Sequence, residues 1–290
     1  MLNPIDPQVI RSAAELRRWS DAARAAGRRI ALVPTMGALH EGHLSLVRLG
    51  YHLADRVVVS IFVNPTQFGP AEDFARYPRD LDRDLEALRK VGADIVFAPS
   101  VEEIYPSGDA TWVDVERLTA GMCGRSRPGH FRGVTTVVAR LFNAARPHVA
   151  VFGEKDYQQL AVIRRMARDL GFGIEVVVGQ IVREPDGLAM SSRNVFLSAR
   201  ARQQATSLHA ALHEARASVR AGVRDAEALV ALVRQRIEKE PLAELDYVEL
   251  VDADTLEPLR SVRGPALLAL AVRFEGTRLI DNTQLSAEDV

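Results

Sequence analysis

The sequence lacks the features that mark secreted, disulfide-bonded and membrane-spanning proteins. Its 290 residues contain one cysteine, Cys123, which excludes an internal disulfide and a metal site built from several cysteines. Residues Met1 to Ser20 have prolines and mixed charges but no apolar core of a signal peptide, and no segment approaches the ~18 apolar residues of a membrane span. Because a lone thiol also suits a reducing compartment, we expect a cytoplasmic protein with no membrane partner.

An excess of charge of one sign is missing as well. The formal net charge is -1, which gives no general attraction to nucleic acid or to an anionic membrane. Hydrophobic residues make up 47% of the chain and charged residues 26%, as in ordinary globular proteins, and the length suits two domains. We therefore expect small molecules, and no nucleic acid, as partners.

Two widespread nucleotide-binding motifs are absent, and lysine is scarce. No Gly-x-x-x-x-Gly-Lys-Ser/Thr loop occurs, and no Gly-x-Gly-x-x-Gly follows the first predicted strand, so a P-loop ATPase and a nicotinamide dinucleotide enzyme are disfavoured. Of the 37 Lys and Arg residues, only Lys90, Lys155 and Lys239 are lysines. Lys90 and Lys239 lie in charged surroundings typical of a surface. Lys155 lies in Gly153-Glu154-Lys155-Asp156, a segment that directly follows an apolar run, where its compact ammonium could follow a moving phosphate.

The most informative stretch that is present runs from Pro34 to His43. The apolar run 29–34 predicts a buried strand before it, and apolar spacing in 42–54 predicts a helix after it. In a parallel sheet such a turn lies at the carboxyl end of a strand, where helix N-terminal amides favour anions. His40 and His43 would share one helix face and could stabilise charge developing on a phosphoryl group. Taken alone, the pattern fits surface or packing histidines equally well.

Apolar runs and helical periodicity alternate along the first two thirds of the chain. Such alternation predicts an α/β fold with a Rossmann-like doubly wound parallel sheet, beginning with a βαβ unit. Further strands are predicted at 56–64, 93–98, 147–152 and 174–180, further helices at 12–26, 80–91, 134–144 and 156–170, an edge strand at Trp112 to Val115, and a basic loop at 121–133 that either closes over phosphates or is simply solvated.

The pattern changes after the turn signal Pro185-Asp186-Gly187. Helices are predicted over 199–238, followed by strands at 245–251, 265–274 and 276–282. Helices followed by strands indicate a smaller C-terminal α+β domain. We place the boundary between residues 1–184, which would bind nucleotide and substrate, and residues 185–290, which would cover the active site.

Polar residues follow several of the predicted strands and suggest phosphate chemistry. Asn64 and Gln67 would reach the same sheet edge as the histidines, although turn chemistry alone would explain them. Asp80, Asp82 and Asp84 could help hold a hydrated magnesium ion or merely complement a helix dipole. Histidines, a lysine, serines and an arginine from separated segments suit adenylyl transfer, in which a carboxylate attacks the α-phosphorus of ATP and pyrophosphate leaves.

Several motifs, taken in order, resemble those of known families. Pro34 to His43 resembles the His-x-Gly-His signature of the adenylate-forming nucleotidyltransferases, the superfamily that includes class I aminoacyl-tRNA synthetases. Taken with its neighbouring motifs, it resembles the pantothenate synthetase family. This resemblance extends from Pro34 to Asn194 and continues less sharply to the C-terminus. The neighbouring motifs are Phe62 to Phe68, Arg127 to Phe131, Gly153 to Gln159 and Met190 to Asn194.

The resemblance implies a reaction and its ligands. It implies an ATP-dependent ligase that joins pantoate to β-alanine through pantoyl adenylate, releasing AMP and pyrophosphate, in pantothenate biosynthesis. It also implies a homodimer. Magnesium is expected to arrive on the ATP phosphates, with no metal ligands from the protein, since that ion usually keeps several waters.

The resemblance further implies roles for individual residues. His43 would be the catalytic histidine, described in the family as a proton donor. Departing pyrophosphate needs no proton, so from the chemistry we expect His43, His40 and Lys155 to be catalytic by stabilising charge. The residues implied to contact ATP are Met36, Gly37, Ala38, Leu39, His40, Glu41, Gly42, His43, Gly153, Glu154, Lys155, Asp156, Val182, Met190, Ser191, Ser192 and Arg193.

Pantoate would be held by Gln67 and Gln159, with Gln67 also near β-alanine and Asn64 a further substrate-binding residue. The chain departs from the Lys-Met-Ser-Lys-Ser loop of the synthetases because Ala189 occupies the first lysine position, and Lys155 can furnish that ammonium. Two alternatives stay open. One is a related nucleotidyltransferase that adenylylates a phosphate-bearing substrate, and the other is a nucleotide-binding module without catalysis.

Overall fold

The computed structural model describes residues 6–70 and 72–287, which form two compact units. The first unit takes its described residues from Met1–Val115, Arg127–Glu154 and Gln159–Gln180. The second takes them from Glu116–Ser126, Lys155–Gln158 and Ile181–Val290. The predicted boundary after residue 184 stays a prediction. The expectation about a signal peptide rests in part on residues 1–5, which lie outside the described residues.

Ten α-helices are found in the described residues. None of the helices within 6–70 and 72–287 combines the length and apolar character needed to cross a lipid bilayer. The helices are α1 (Ala13–Ala25), α2 (Glu41–Leu53), α3 (Leu81–Val91), α4 (Val101–Ile104), α5 (Met122–Ser126), α6 (His130–Ala145), α7 (Tyr157–Asp169), α8 (Ala199–Ala205), α9 (Ser207–Arg220) and α10 (Ala226–Ile237).

A six-stranded parallel sheet forms the centre of the first unit. Its strands are β1 (Gln8–Ile10), β2 (Ile30–Thr35), β3 (Arg56–Ile61), β4 (Ile95–Phe97), β5 (Val149–Gly153) and β6 (Glu175–Gly179). They lie in the order β1-β4-β3-β2-β5-β6, with every neighbouring pair parallel. The strand order reverses between β2 and β5. This confirms the predicted doubly wound sheet, and ligands of such sheets bind at the carboxyl ends of the strands where the order reverses.

β-Branched runs explain why these strands are central. Val57, Val58 and Val59 of β3 are all fully buried, so both faces of the strand are covered by packed side chains. The stiff branched side chains fit a pleated surface and supply the apolar area that stabilises it. Leu46 and Val47 of α2 belong to the cluster on one face of the sheet, which fixes the helix that follows the Pro34–His43 stretch.

The second unit contains a three-stranded antiparallel sheet and helices. The strands β7 (Ala243–Asp252), β8 (Ala266–Phe274) and β9 (Thr277–Leu285) lie in the order β7-β8-β9. The central strand β8 is buried along almost its whole length. Apolar residues of α9 and α10 pack in the same core cluster as those of β8, which accounts for the predicted α+β pattern at the C-terminal end.

Two sequence-based expectations were wrong. Trp112 to Val115 is not an edge strand. Side chains of α6, and no neighbouring strand among the described residues, bind the backbone of Val113: Val113 N donates to Thr136 Oγ1 at 3.0 Å, and Thr135 Oγ1 donates to Val113 O at 2.6 Å. Residues 121–133 are not a simple loop either. They contain α5 and the first turn of α6, and Gly129 precedes that turn with φ at 81°.

Candidate active site

The turn after β2 has two consecutive residues in the left-handed backbone region. Gly37 has a φ angle of 77°, in the left-handed region that glycine enters without strain, and Ala38 has a φ angle of 50°, which alanine rarely adopts. Gly37 N donates to Thr35 Oγ1 at 3.2 Å, and the same hydroxyl donates to Ser60 O at 2.7 Å. The turn is therefore tied to the carboxyl ends of both β2 and β3.

A buried carboxylate holds the same turn from α3. Asp84 is 2% exposed, and its Oδ2 and Oδ1 accept hydrogen bonds from Ala38 N at 3.0 Å and Leu39 N at 2.8 Å. A Cβ at Gly37 would lie 2.8 Å from Asp84 Oδ2, so glycine is required for this approach. Burial raises the pKa of Asp84, while the amides of Leu39 and Ala38 act to lower it. From the sequence, Asp84 is predicted to hold magnesium or to complement a helix dipole, and its contact with the turn has no local signal.

The two histidines cap α2 with their rings close together. His40 Nδ1 accepts a hydrogen bond from Gly42 N at 3.2 Å, and His43 Nδ1 accepts one from His40 N at 3.3 Å. The ring centroids are 4.1 Å apart. Because both Nδ1 atoms accept, we infer that each neutral ring carries its proton on Nε2. Each histidine can then stabilise an anion through an N–H donor at the N-terminus of a helix.

The amide side chains of Asn64 and Gln67, which follow β3, form a network with the turn after β2. Asn64 Nδ2 donates to Gln67 Oε1 and to Gly133 O, both at 3.1 Å. Gln67 Nε2 lies 3.0 Å from Met36 Sδ. Since Gln67 Oε1 already accepts a hydrogen bond, its amide nitrogen is the group suited to a carboxylate or hydroxyl oxygen.

Asn64 itself is a structural residue of the turn as well as a predicted site residue. It is 1% exposed, and its Oδ1 accepts hydrogen bonds from Thr66 Oγ1 and Tyr105 OH, each at 2.9 Å. A Cβ at Gly133 would lie 2.4 Å from Thr66 O, so glycine lets α6 press against this turn. The side-chain oxygen of Asn64 therefore stabilises the turn, as turn chemistry predicts. The side-chain nitrogen of Asn64 donates to Gln67 and orients it.

Arg127 and His130 support Gln67 from α6 and the residues before it. The carbonyl oxygen of Gln67 accepts a hydrogen bond from Arg127 Nη2 at 3.1 Å and lies 2.8 Å from His130 Nδ1. Arg127 also forms a two-bond ion pair with Glu72, at 2.6 and 2.7 Å. Burial acts to raise the pKa of Glu72, but Arg127 outweighs it, and the pKa is lowered. Arg127 thus holds a backbone position, a role different from the phosphate closure considered from sequence.

The remaining predicted residues of the first unit follow β5, the strand beside β2. Gly153 is the last residue of β5 and pairs with Gly179 of β6, and Glu154 follows it. Gln159 lies in the first turns of α7 and is half-buried. Gly153 and Glu154 therefore lie at the strand reversal, as do Met36 to His43.

The second unit contains Lys155, Asp156 and the Val182–Met190 hairpin. Lys155 and Asp156 belong to the 3-10 turn Glu154–Asp156. Met190 N donates to Val182 O at 3.0 Å, so the structure brings these two predicted ATP contacts together. Ser191 caps the 3-10 helix Ser192–Phe196 by accepting from Arg193 N at 3.3 Å.

Residues 6–70 and 72–287 contain no cluster of side chains that could coordinate a magnesium ion. No group of three or more His, Cys, Asp or Glu side chains in that part of the chain is placed to hold a metal ion. Asp80 Oδ1 instead caps α3 by accepting from Arg83 N at 3.1 Å, and both Asp84 oxygens serve the turn. The expectation that magnesium arrives on the ATP phosphates stays a prediction.

Comparison with known proteins gives a consistent result. The model of a family described as pantoate-beta-alanine ligase matches residues 8–284. The chain is 56% identical to the pantothenate synthetase of Moorella thermoacetica, over 97% of this chain and 100% of that protein. It is 54% identical to that of Myxococcus xanthus, over 98% of each.

Solved structures agree with the sequence relatives. The pantothenate synthetase of Thermus thermophilus matches with a TM-score of 0.90 and 48% identity, over 96% of this chain and 99% of that one. The pantoate-beta-alanine ligase of Francisella tularensis, complexed with beta-gamma ATP and beta-alanine, matches with a TM-score of 0.79 and 31% identity, over 96% and 97%. The chain thus belongs to the pantoate-beta-alanine ligase family, as its motifs and its strand order indicate.

Proposed function

We propose that the protein condenses (R)-pantoate with β-alanine to pantothenate, using MgATP and releasing AMP and pyrophosphate. The observation that carries this proposal is the pair His40 and His43, which caps a helix N-terminus at the strand reversal with Gln67 tied to the same turn through Met36. A phosphate-binding turn and an acid-binding amide are the two groups that activation of a carboxylate requires. The Francisella tularensis relative, with ATP and beta-alanine bound, supports the same ligands.

The first step would be adenylyl transfer. A carboxylate oxygen of pantoate forms a bond to the α-phosphorus of ATP, and the bond from that phosphorus to the bridging oxygen breaks, so that its electron pair leaves with pyrophosphate. His40 and His43 would donate hydrogen bonds through Nε2 to oxygens that gain charge. Lys155 would add a compact positive charge, and magnesium bound to the nucleotide would neutralise phosphate charge. Gln67 and Gln159 would orient the acid.

The second step would form the amide. The amine of β-alanine attacks the carbonyl carbon of pantoyl adenylate, the bond from that carbon to the AMP oxygen breaks, and the amine proton is lost to solvent. The protein residues would contribute orientation in this step, because AMP is already a good leaving group. The remaining ATP contacts would be Met36 to Leu39, Glu41, Gly42, Gly153, Glu154, Asp156, Val182 and Met190 to Arg193, with Asn64 supporting substrate binding through Gln67.

We further propose that the protein acts in the cytoplasm as a homodimer, without nucleic acid or membrane partners. The single cysteine suits a reducing compartment, and a net charge of -1 suits small-molecule partners. The homodimer is an expectation from the family resemblance. Sedimentation at several protein concentrations tests it, and a monomer at micromolar concentration would contradict it.

Exchange of labelled pyrophosphate into ATP tests the proposed substrate. We expect pantoate to drive exchange without β-alanine, and phosphate-bearing acceptors to give none. Exchange driven by a phosphate-bearing acceptor instead would identify a related nucleotidyltransferase. Stoichiometric ATP binding with no exchange on any acid would identify a nucleotide-binding module without catalysis, and either result would overturn the proposal.

A further inference from the structure

A side chain from near the C-terminal end of the chain holds the backbone of Lys155. Asn282 Nδ2 donates a hydrogen bond to Lys155 O at 2.9 Å. Asn282 lies on β9 and is 4% exposed. A buried amide that donates to a main-chain carbonyl restricts the backbone from which the lysine side chain starts.

The preceding residue of β9 holds the hairpin that carries Val182 and Met190. Asp281 is 2% exposed, and its two oxygens pair with Arg183 Nη1 at 2.6 Å and Arg183 Nη2 at 2.9 Å. Arg183 Nη1 also donates to Gly187 O at 3.1 Å, across the tip of the hairpin. Such a two-bond carboxylate–guanidinium pair fixes orientation as well as distance.

The strand that carries both residues is itself held in a fixed register. Asp281 pairs with Leu270 and Asn282 with Ala269 on the buried strand β8. Two consecutive residues of one strand therefore hold two segments that are proposed to bind ATP. Side chains on a strand of a packed sheet are positioned more sharply than side chains on a loop.

The ammonium of Lys155 has no such restraint among the described residues of its unit. Lys90 Nζ, for comparison, pairs with Glu86 at 3.2 Å on the exposed side of α3. No acidic side chain in the described part of the second unit forms an ion pair with Lys155, and no hydrogen bond of its Nζ is found there. Within the described part of this unit, a hydrogen bond holds the backbone of Lys155 and none holds its ammonium, which suits a charge that must follow a phosphate.

We propose that Asn282 is a positioning residue that acts through Lys155. By holding the Lys155 carbonyl, it places the start of the four-carbon stem so that the ammonium reaches the phosphate when charge develops there. The inference rests on the proposed function, because it requires Lys155 to act on ATP. A displacement of a catalytic group by about 1 Å can cost about 100-fold in rate, so the loss of one anchoring bond has a measurable consequence.

A double-mutant cycle on the full-length protein tests this inference. The measured quantity is the single-turnover rate of pantoyl adenylate formation from ATP and pantoate. We expect Asn282→Ala to slow this step by about 10-fold or more, with the KM for pantoate changed by less than about 2-fold. In a Lys155→Ala background, Asn282→Ala should cause no further loss, because residues that act as one unit are not additive.

Gln204→Ala is the matched control. Gln204 Oε1 accepts a hydrogen bond from Leu242 N at 2.9 Å in the same unit, which is not one of the bonds that hold Lys155 or the hairpin. It should lower the Tm without slowing adenylate formation. If Asn282→Ala does not fold, Asn282→Ser, whose hydroxyl is too short to reach the carbonyl, takes its place in the cycle.

The outcomes separate the inference from the proposed function. If Lys155→Ala slows the reaction but Asn282→Ala has no effect, or costs the same factor in both backgrounds, positioning through Lys155 is overturned and the proposed function stands. If Lys155→Ala itself leaves the rate unchanged, the proposed role of the lysine and this inference both fail.

Discussion

The turn after β2 and the segment around Lys155 differ in how the fold holds them. In the turn, the backbone amides of Gly37, Ala38 and Leu39 are each bound by a side-chain oxygen, and the histidine rings are fixed by two more amides. Around Lys155, the backbone is held through the lysine carbonyl, and the ammonium has no ion pair in the described part of its unit. We propose that the first region acts as a fixed phosphate receptor and the second as a tethered charge.

This difference matches the two demands of adenylyl transfer. Fixed donors stabilise developing charge without reorganisation at the moment of reaction. A charge on a flexible stem can move with pyrophosphate as it departs, at a cost in side-chain entropy. Variants should therefore behave differently in the two regions: loss of the tethered charge should affect the rate alone, whereas loss of the fixed contacts should affect rate and stability together.

The largest effect is expected for Lys155→Ala. Removal of the ammonium should slow pantoate-dependent adenylate formation by about 100-fold or more, because a positive charge near the phosphates is lost. The Tm should stay close to that of the parent protein. Rapid-quench measurement of adenylate checks the rate, and Lys90→Ala, which removes the exposed lysine paired with Glu86, is the control expected to leave it unchanged. A rate within about 2-fold of the parent for Lys155→Ala would refute the role of the charge.

A loss of about 100-fold is expected for His43→Asn, the typical cost of removing one such donor. The asparagine oxygen can replace Nδ1 as acceptor for His40 N, but no group replaces the Nε2 donor. His52→Asn, at the exposed end of the same helix, serves as the control. An unchanged rate with intact folding would show that His43 only caps the helix.

Much of the fold was predictable from the sequence, and the reason is visible in particular strands. The unbroken apolar run at β3 and the glycine in the turn after β2 are both local features of the sequence, so the sequence alone predicts the strand and the turn. The strand predicted at Trp112 to Val115 was wrong because hydroxyl groups of α6, 22 and 23 residues further along the chain, bind the backbone of Val113. The local sequence pattern does not predict hydrogen-bond partners that are distant along the chain.

The candidate site divides in the same way. His40, His43, Gln67 and Lys155 follow strand ends that the sequence reveals, so they could be proposed from it. The contacts of Asp84 with the turn and of Asn282 with Lys155 join residues 45 or more positions apart, and only the folded chain shows them. Asp84 in particular looked like any acidic residue in a first helical turn.

A loss of about 10-fold is expected for Asp84→Asn, which tests whether the turn is a fixed receptor. The amide of asparagine can accept from only one of Ala38 N and Leu39 N, so the turn loses one restraint. The KM for ATP should rise while adenylate formation slows. Asp82→Asn, on the exposed side of the same helix, is the control. Equal kinetics for Asp84→Asn and the parent protein would mean that the turn keeps its shape without Asp84.

The smallest effect is expected for Glu72→Gln and depends on pH. The folded pKa of Glu72 lies below its ordinary value of 4.5, so its ion pair with Arg127 stabilises the fold above that value and is lost as the pH falls through the folded pKa. The parent protein should be about 1 kcal/mol more stable than the variant near neutral pH, and the difference should vanish below the folded pKa. Urea unfolding across this range measures it.

Glu86→Gln is the matched control for that measurement, because its pair with Lys90 is exposed and should contribute almost nothing. A difference between Glu72→Gln and the parent protein that does not change with pH would contradict the ionic explanation. The KM for pantoate should rise slightly in Glu72→Gln, because Arg127 also holds the carbonyl of Gln67.

The most direct test of the proposed function is a single-turnover reaction with ATP, magnesium and pantoate but without β-alanine. We expect one equivalent of pantoyl adenylate and one of pyrophosphate to form on active enzyme, and later addition of β-alanine to convert the adenylate to pantothenate and AMP. Absence of a pantoate-dependent adenylate, on enzyme that turns over when β-alanine is present, would contradict it.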